Sequence, residues 1–446
     1  MRARRKSSLH SIKMNVGNQN GRIKPMKKKL LSAVIAGFMA ATPVMAELTF
    51  SALSYRTGAY GNNGIPFADG YLDYFTLLQE RDGGIGGESI RVIECETAYN
   101  TEKGVECYEA TKGEGVLSYS PLSTGITYQL IPKVTADGIA LHTMGYGRTS
   151  AKNGQIFRNV FNFPANYWDG ASVGIKHLLD INGGDIKGKK IALVYHNSAY
   201  GREPIRTLEE LAKKHGYELT LLPVDHPGQE QKSQWLQIRR EKPDYVIMWG
   251  WGVMNPVAIQ EAVNIRYPME NFIGVWWSGS ENDVLPAGAK ADGYKALAFH
   301  AVNSDFPIFD DIKKYVVDTG KAAGAGDQVG TVLYNRGMYN AMLITEAARK
   351  AQEIAGKSNI SQLDMIKGFE AMEMTDARMA ELGLAGFGPS FSVSCENHGG
   401  DGMVAVAQWD AGAGKWSIVS DFQASDMSVI QPLIDEDSGA FAAENK

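Results

Sequence analysis

Few residues in this 446-residue chain are spaced for chemistry. Gly183-Gly184-Asp185-Ile186-Lys187-Gly188-Lys189-Lys190 matches a phosphate-binding loop up to its lysine. Its eighth position is Lys190, where Ser or Thr would hold Mg²⁺, and the glycines precede a strand instead of linking a strand to a helix. A solvated turn is expected there. Gly84-Ile85-Gly86 ends a helix, and Ser89 stands where a dinucleotide fingerprint needs its third glycine. The eight histidines form no H-E-x-x-H and no Cys/His cluster at zinc spacing. Cys395-Glu396-Asn397-His398 brings a thiol near an imidazole, but in a turn between strands without an evident orienting group, so a structural turn is expected. No catalytic residue, metal or cofactor is expected.

The unusual enrichment is aromatic. Trp249 and Trp251 flank Gly250 at the carboxyl end of one expected strand, and Trp276-Trp277 end the next. Ligands of parallel sheets meet the loops at the carboxyl ends of strands, so these indoles stand where a pocket belongs. Packing in a core or between lobes is the alternative use of each indole.

Such strand ends require strands and helices in alternation, and the apolar periodicity supplies them. A strand over 48–55 precedes the glycine-punctuated loop 58–64, and Phe67, Tyr71, Tyr74, Phe75 and Leu78 recur at helical spacing over 65–81. Strands over 89–95, 116–120 and 139–144 alternate with helices over 101–113 and 123–137. The pattern restarts with helix 168–181, strand 190–195, helix 202–215, strand 219–223, helix 231–241, strand 245–250, helix 255–265 and strand 272–276. A return strand over 294–301, helices over 309–319, 331–355 and 361–371, and strands over 391–394, 403–409 and 415–419 complete it. Residues 435–446 read as a frayed acidic tail. This alternation predicts parallel sheets covered by helices.

At the other end, Lys27-Lys28-Lys29, an apolar run over 30–41 and Val44-Met45-Ala46 read as a signal peptide over 26–46, cleaved after Ala46. The apolar run is about a dozen residues, short of the ~20 needed to span a bilayer. Residues 1–25 read as an extension upstream of a true start at Met26. Removing residues 1–46 leaves 35 Lys and Arg against 50 Asp and Glu, a net charge of −15. Such a surface repels nucleic acid and anionic lipid, and stable membrane insertion is not expected. The roughly 400 residues that remain exceed what one core supports, so two lobes are expected. Of the three cysteines, Cys95 at a strand end and Cys107 in the following helix are the expected disulfide. Three unpaired buried thiols are the alternative.

The chain resembles the periplasmic solute-binding proteins of the branched-chain amino acid transporter class, the type I, Leu/Ile/Val-binding-like family. The resemblance covers essentially everything after residue 46. It rests on the signal peptide, the Gly58-Ala59-Tyr60-Gly61 loop, Ser120-Pro121-Leu122-Ser123-Thr124, and Tyr195-His196-Asn197-Ser198-Ala199-Tyr200-Gly201. It implies an α/β, two-lobed type I periplasmic-binding-protein fold, each lobe a mostly parallel sheet flanked by helices, joined by a three-crossover hinge. Lobe one would comprise 47–164 and 300–385, and lobe two 165–299 with a hairpin and hinge return over 386–434. Carried over by motif, Tyr60 reaches the cleft, Ser123 and Thr124 hold a carboxylate at a helix N-terminus, Gly145, Tyr146 and Gly147 offer a backbone edge, and Tyr200 enters from lobe two.

One departure from the family bears on the ligand. Its amino-acid binders place an acid after the strand corresponding to 272–275, to pair with the ligand ammonium, and Trp276 stands there, with Glu281 a few residues later. An unpaired buried ammonium costs several kcal/mol. The expected ligand is thus a small aromatic or apolar carboxylate, with an amino acid or a cation over the indoles as alternatives. The implied role is the periplasmic component of an ABC importer: a monomer, not an enzyme, that closes on its ligand and delivers it to an inner-membrane permease with its ATPase subunits. A ligand-sensing module for a chemoreceptor or kinase is the alternative.

Overall fold

The computed structural model describes residues 47–445, and the expected signal peptide and upstream extension lie outside them. The fold is two-lobed and α/β, built on two sheets. The first sheet comprises β1 (Glu47–Ser54), β2 (Ser89–Glu96), β3 (Val116–Ser120), β4 (Ala140–His142) and β5 (Val160–Phe161) in the order β2-β1-β3-β4-β5. Every pairing in it is parallel. The second contains β6 (Lys190–His196), β7 (Glu218–Val224), β8 (Tyr245–Trp249), β9 (Phe272–Gly274) and β10 (Lys295–Ala298). Its order is β14-β13-β10-β9-β8-β6-β7, with β13 (Ala405–Asp410) antiparallel to β10 and β14 (Lys415–Ile418) antiparallel to β13. A small two-stranded sheet pairs β11 (Glu373–Met374) with β12 (Phe391–Ser392), so residues 391–392 do not join the terminal hairpin.

Central strands such as β3 and β8 are buried along their whole length because helices cover both sheet faces. The helix Gly61–Asp82 turns Tyr71, Tyr74, Phe75 and Leu78 inward and stops at Gly83, whose left-handed φ of 73° frees its N–H to bond Leu78 O. The helix Val332–Ala355 lies against it at two glycines. A Cβ on Gly70 would sit 2.0 Å from Tyr334 O, and one on Gly337 would sit 1.9 Å from Phe67 O. Backbone meets backbone there, which fixes the register of the two helices.

The chain passes from the first sheet to the second through residues 162–166, where Asn166 and Asp169 form a capping box for the helix Tyr167–Ile181. It returns after β10 and crosses again before β13. The expected acidic tail is a correction: Met427–Glu444 is a helix. Its apolar side finds partners the acidic count concealed, with Phe441 stacked on Phe157 at 4.6 Å and Ile430 and Ile434 buried. It spans both lobes, pairing Asp437 with Arg148 at 2.7 Å and Glu436 with Arg206 at 2.7 Å.

A disulfide joins Cys95 on β2 to Cys107 on the helix Thr101–Thr111, Cα to Cα 5.9 Å, while Cys395 is free and exposed. Among the described residues no helix is long and apolar enough to cross a membrane.

Candidate functional site

The parallel strands of both lobes point their carboxyl ends at one cleft, and the loops that leave them carry its side chains. From lobe one come Tyr55 and Tyr60 after β1, Tyr99 after β2, Ser123 and Thr124 after β3, and Gly145 to Gly147 after β4. From lobe two come Tyr200 after β6, Trp249 and Trp251 at and after β8, and Trp276 and Trp277 after β9. The lobes touch across it. Tyr60 Oη lies 2.8 Å from His196 Nε2, Asn63 Nδ2 donates to Asp283 Oδ1 at 3.1 Å, and Tyr128 Oη donates to Glu203 Oε1 at 2.6 Å.

Ser123 is the N-cap of the helix Thr124–Asp137, its Oγ accepting from Ile126 N at 3.4 Å. The first-turn N–H groups of that helix have no partner within it and favour an anion. Thr124 Oγ1 accepts from Gly147 N at 3.1 Å, so helix start and loop form one surface. Tyr60 is spent on the lobe contact: its ring lies 4.2 Å from Tyr99 and 5.3 Å from His226. Burial pulls the His196 imidazole down to about 4, which keeps it neutral at pH 7 beside that phenol. Tyr200 Oη donates to Gly250 O at 2.9 Å.

The four indoles divide. Trp276 Nε1 and Trp277 Nε1 both donate to Gly145 O, at 3.1 and 2.7 Å. Trp276 also stacks on Tyr167 at 5.5 Å, and Trp277 on Tyr146 at 4.5 Å. Trp249 Nε1 and Trp251 Nε1 are buried without a hydrogen-bond partner, as is Tyr146 Oη. Burial holds the phenols of Tyr55, Tyr146, Tyr167 and Tyr200 well above their usual pKa, so all four remain hydrogen-bond donors.

The two acids that follow Trp276 in the chain, Glu281 and Asp283, are both hydrogen-bonded. Glu281 accepts from Val332 N at 3.2 Å, at the start of the helix Val332–Ala355, and burial raises it to about 7. Asp283 accepts from Ser280 N, Asn255 Nδ2 and Asn63 Nδ2 at 2.9 to 3.1 Å. Glu203 lies by the Ser123–Thr124 end, on the other side of Gly147. A Cβ on Gly147 would lie 2.1 Å from its Oε1, and burial raises it to about 7.

Several cleft residues escaped the sequence reading. Arg336 is 1 % exposed and donates from Nε to His300 Nε2 at 3.0 Å and from Nη1 to Trp276 O. Its guanidinium lies 5.0 Å from the Trp277 ring and 5.2 Å from Phe299. Burial pulls it down to about 9, and among the described residues no ion pair involves it. Its signal was one arginine in an otherwise apolar helical stretch. Tyr55, Tyr99 and Glu203 gave no signal beyond their places at strand and helix ends.

The other chemical-looking segments resolve as structure. Gly183–Lys190 is turn leading into β6. His398 is fully buried, its ring 4.1 Å from Phe161 and its Nδ1 2.8 Å from Val160 O, while Cys395 faces solvent. Gly170-Ala171-Ser172-Val173-Gly174 spells G-x-S-x-G, yet it lies inside the helix Tyr167–Ile181, and Ser172 Oγ accepts from Asp426 N at 2.7 Å. No strand-turn-helix elbow exposes that hydroxyl. Among the described residues no group of three His, Cys, Asp or Glu can hold a metal ion.

A family model described as periplasmic binding protein matches residues 47–415. A crystal structure described as an ABC transporter permease from the Pseudomonas fluorescens group is 40 % identical, with a TM-score of 0.83 over 90 % of this chain and 98 % of that one. A branched-chain amino acid ABC transporter structure from Thermus thermophilus with bound valine is 18 % identical, with a TM-score of 0.72 over 87 % of this chain and 98 % of that one. The Leu/Ile/Val-binding protein homolog 7 of Brucella suis is 22 % identical over 87 % of this chain and 95 % of its own length.

Proposed function

Because the chain belongs to the periplasmic binding protein family, we propose that it is the exported solute-binding component of an ABC importer and that its ligand is a small apolar or aromatic carboxylate. The observation that carries this reading is the balance of groups in the cleft. A helix N-terminus and an unpaired buried guanidinium await an anion, and the acids nearby are occupied or hold protons. An α-ammonium would meet the Trp276 indole and Glu203, whose carboxyl, raised to about 7, compensates its desolvation less than a fully ionised acid does. A quaternary ammonium over the indoles would face Arg336, a like charge.

In this reading the carboxylate sits at Ser123 and Thr124, the apolar body lies against Tyr99, Tyr200, Trp249 and Trp251, and the lobes hinge at about residues 164, 299 and 385. Gly145 to Gly147 supply the floor. The signal peptide is removed after Ala46, and the protein works in the periplasm as a monomer. It performs no reaction. The ligand bridges two lobes and so shifts an open/closed equilibrium by its differential contacts, and the closed form engages the permease and its ATPase subunits.

A thermal-shift series on residues 47–446 tests the ligand class. At a hundred times its Kd a ligand adds about 2.7 kcal/mol of stability, readily seen in the midpoint. Benzoate-like or short apolar carboxylates raise the midpoint, and leucine, valine and choline leave it unchanged. A shift by leucine and none by the carboxylates overturns the reading and makes Glu203 the ammonium partner.

A further inference from the structure

The helix Met427–Glu444 grows out of lobe two at its start and is only docked on lobe one at its end. The start is fixed to lobe two, where Asp426 N donates to Ser172 Oγ at 2.7 Å and Lys214 Nζ donates to Ser428 Oγ at 2.9 Å. Glu436 still faces lobe two, through Arg206. One residue later the helix changes lobe. Asp437 accepts from Arg148 Nε at 2.8 Å and from the Ser150 hydroxyl, and Ser438 Oγ accepts from Asn153 Nδ2 at 3.0 Å. Phe441 stacks on Phe157 at 4.6 Å, with the Arg148 guanidinium 5.0 Å from its ring. Arg148, Ser150, Asn153 and Phe157 all belong to the segment between β4 and β5 of the first sheet. Upstream of Asp437 a groove of about 490 Å³ lies between Gln431 and Ile434 on the helix and Lys152 and Gln155 on lobe one. The grip on lobe one is thus concentrated in residues 437–441.

We infer that Asp437, Ser438 and Phe441 form a catch, carried by lobe two, that fastens lobe one in the closed form. The inference rests on the hinge motion proposed above and not on the class of ligand. No covalent bond joins this end of the helix to lobe one, so the lobes can part by breaking three side-chain contacts while the helix itself stays whole. The fastening is reversible for the same reason: the Arg148–Asp437 pair keeps 21 and 29 % of its side-chain surface in solvent, so releasing it strands no buried charge. Arg148 directly follows Gly147, whose N–H donates to Thr124 Oγ1 at 3.1 Å. The catch therefore holds the cleft floor against the helix N-terminus as well as holding the lobes together. Because it favours the closed form before any ligand arrives, it lowers the differential contact energy that a ligand must supply to complete closure.

Hydrogen exchange of ligand-free residues 47–446, read by mass spectrometry, tests this. Two amides report opening directly because each bonds across the lobes, far along the chain from the catch: Val253 N donates to Ala59 O at 3.3 Å, and Val332 N to Glu281 Oε2 at 3.2 Å. Asp437→Asn and Phe441→Ala should each speed exchange at both amides by about fivefold or more, while the amides of β1 and β8 exchange as before. Arg206→Gln, which frees Glu436 on the lobe-two side, should change neither set. Unaltered exchange at Val253 and Val332 in both catch variants overturns the inference, and the ligand class, tested separately by thermal shift, is untouched by that result. Acceleration of β1 and β8 by the same factor also overturns it, because the helix then supports the whole fold. So does equal acceleration by Arg206→Gln, or unprotected Val253 and Val332 amides in the unsubstituted chain, where no closed form would be left to fasten.

Discussion

Trp249 and Trp251 follow one strand of the second sheet and Trp276 and Trp277 follow its neighbour, yet the two pairs use their N–H groups in opposite ways. The second pair converges on Gly145 O in the other lobe and ties the lobes together. The first pair is as deeply buried, at 0 and 2 % exposure, and its N–H groups bond nothing. Burial alone therefore does not separate an indole that ties the lobes together from one whose N–H is open, and hydrogen bonding does.

The largest effect should come from the clamp. Trp276→Ala removes a fully buried ring stacked on Tyr167 and set edge-on to Phe299. It should cost about 3–5 kcal/mol in urea unfolding. A loss below 1 kcal/mol would show that the clamp is dispensable and dissolve the contrast.

Next comes Glu203, which touches Tyr128 across the cleft. Burial raises its carboxyl to about 7 in the folded protein from the model-peptide value of 4.5. The folded state then binds the extra proton between pH 4.5 and 7, so stability is complete below pH 4.5 and declines as pH rises through 7. The decline amounts to roughly 3 kcal/mol at most. Glu203→Gln should flatten that part of the curve of unfolding free energy against pH. An unchanged slope would place the ionisation elsewhere.

Trp277→Phe keeps the stack on Tyr146 and takes one donor from Gly145 O, for a loss of about 1–3 kcal/mol. The smallest change in stability belongs to Trp251→Phe, which discards a donor already unpaired. In the ligand-free protein it should be neutral or stabilising, within about 1 kcal/mol. Paired urea titrations of these two variants sharpen the comparison, and equal losses would erase it.

Much of the architecture was legible in the residues themselves. Phe67, Tyr71, Tyr74, Phe75 and Leu78 mark a helix through their own spacing, and short strands alternating with helices imply parallel sheets whose carboxyl ends gather the loops. The final helix was misread because its carboxylates dominate the composition while its apolar residues find partners only in lobe one and lobe two.

The sequence by itself determined the two-sheet fold and the placement of Tyr60, Ser123, Thr124, Tyr200 and the tryptophans at strand ends, since hydrophobic periodicity and turn residues act over a few neighbours. The tertiary structure alone decided which of those groups are free. Gly145 O reaches Trp276 and Trp277 across 131 and 132 residues of chain. Arg336 reaches Trp276 O across 60 and His300 across 36. Whether a buried donor or cation is satisfied depends on partners that only the closed fold brings within hydrogen-bond distance, and no local pattern encodes them.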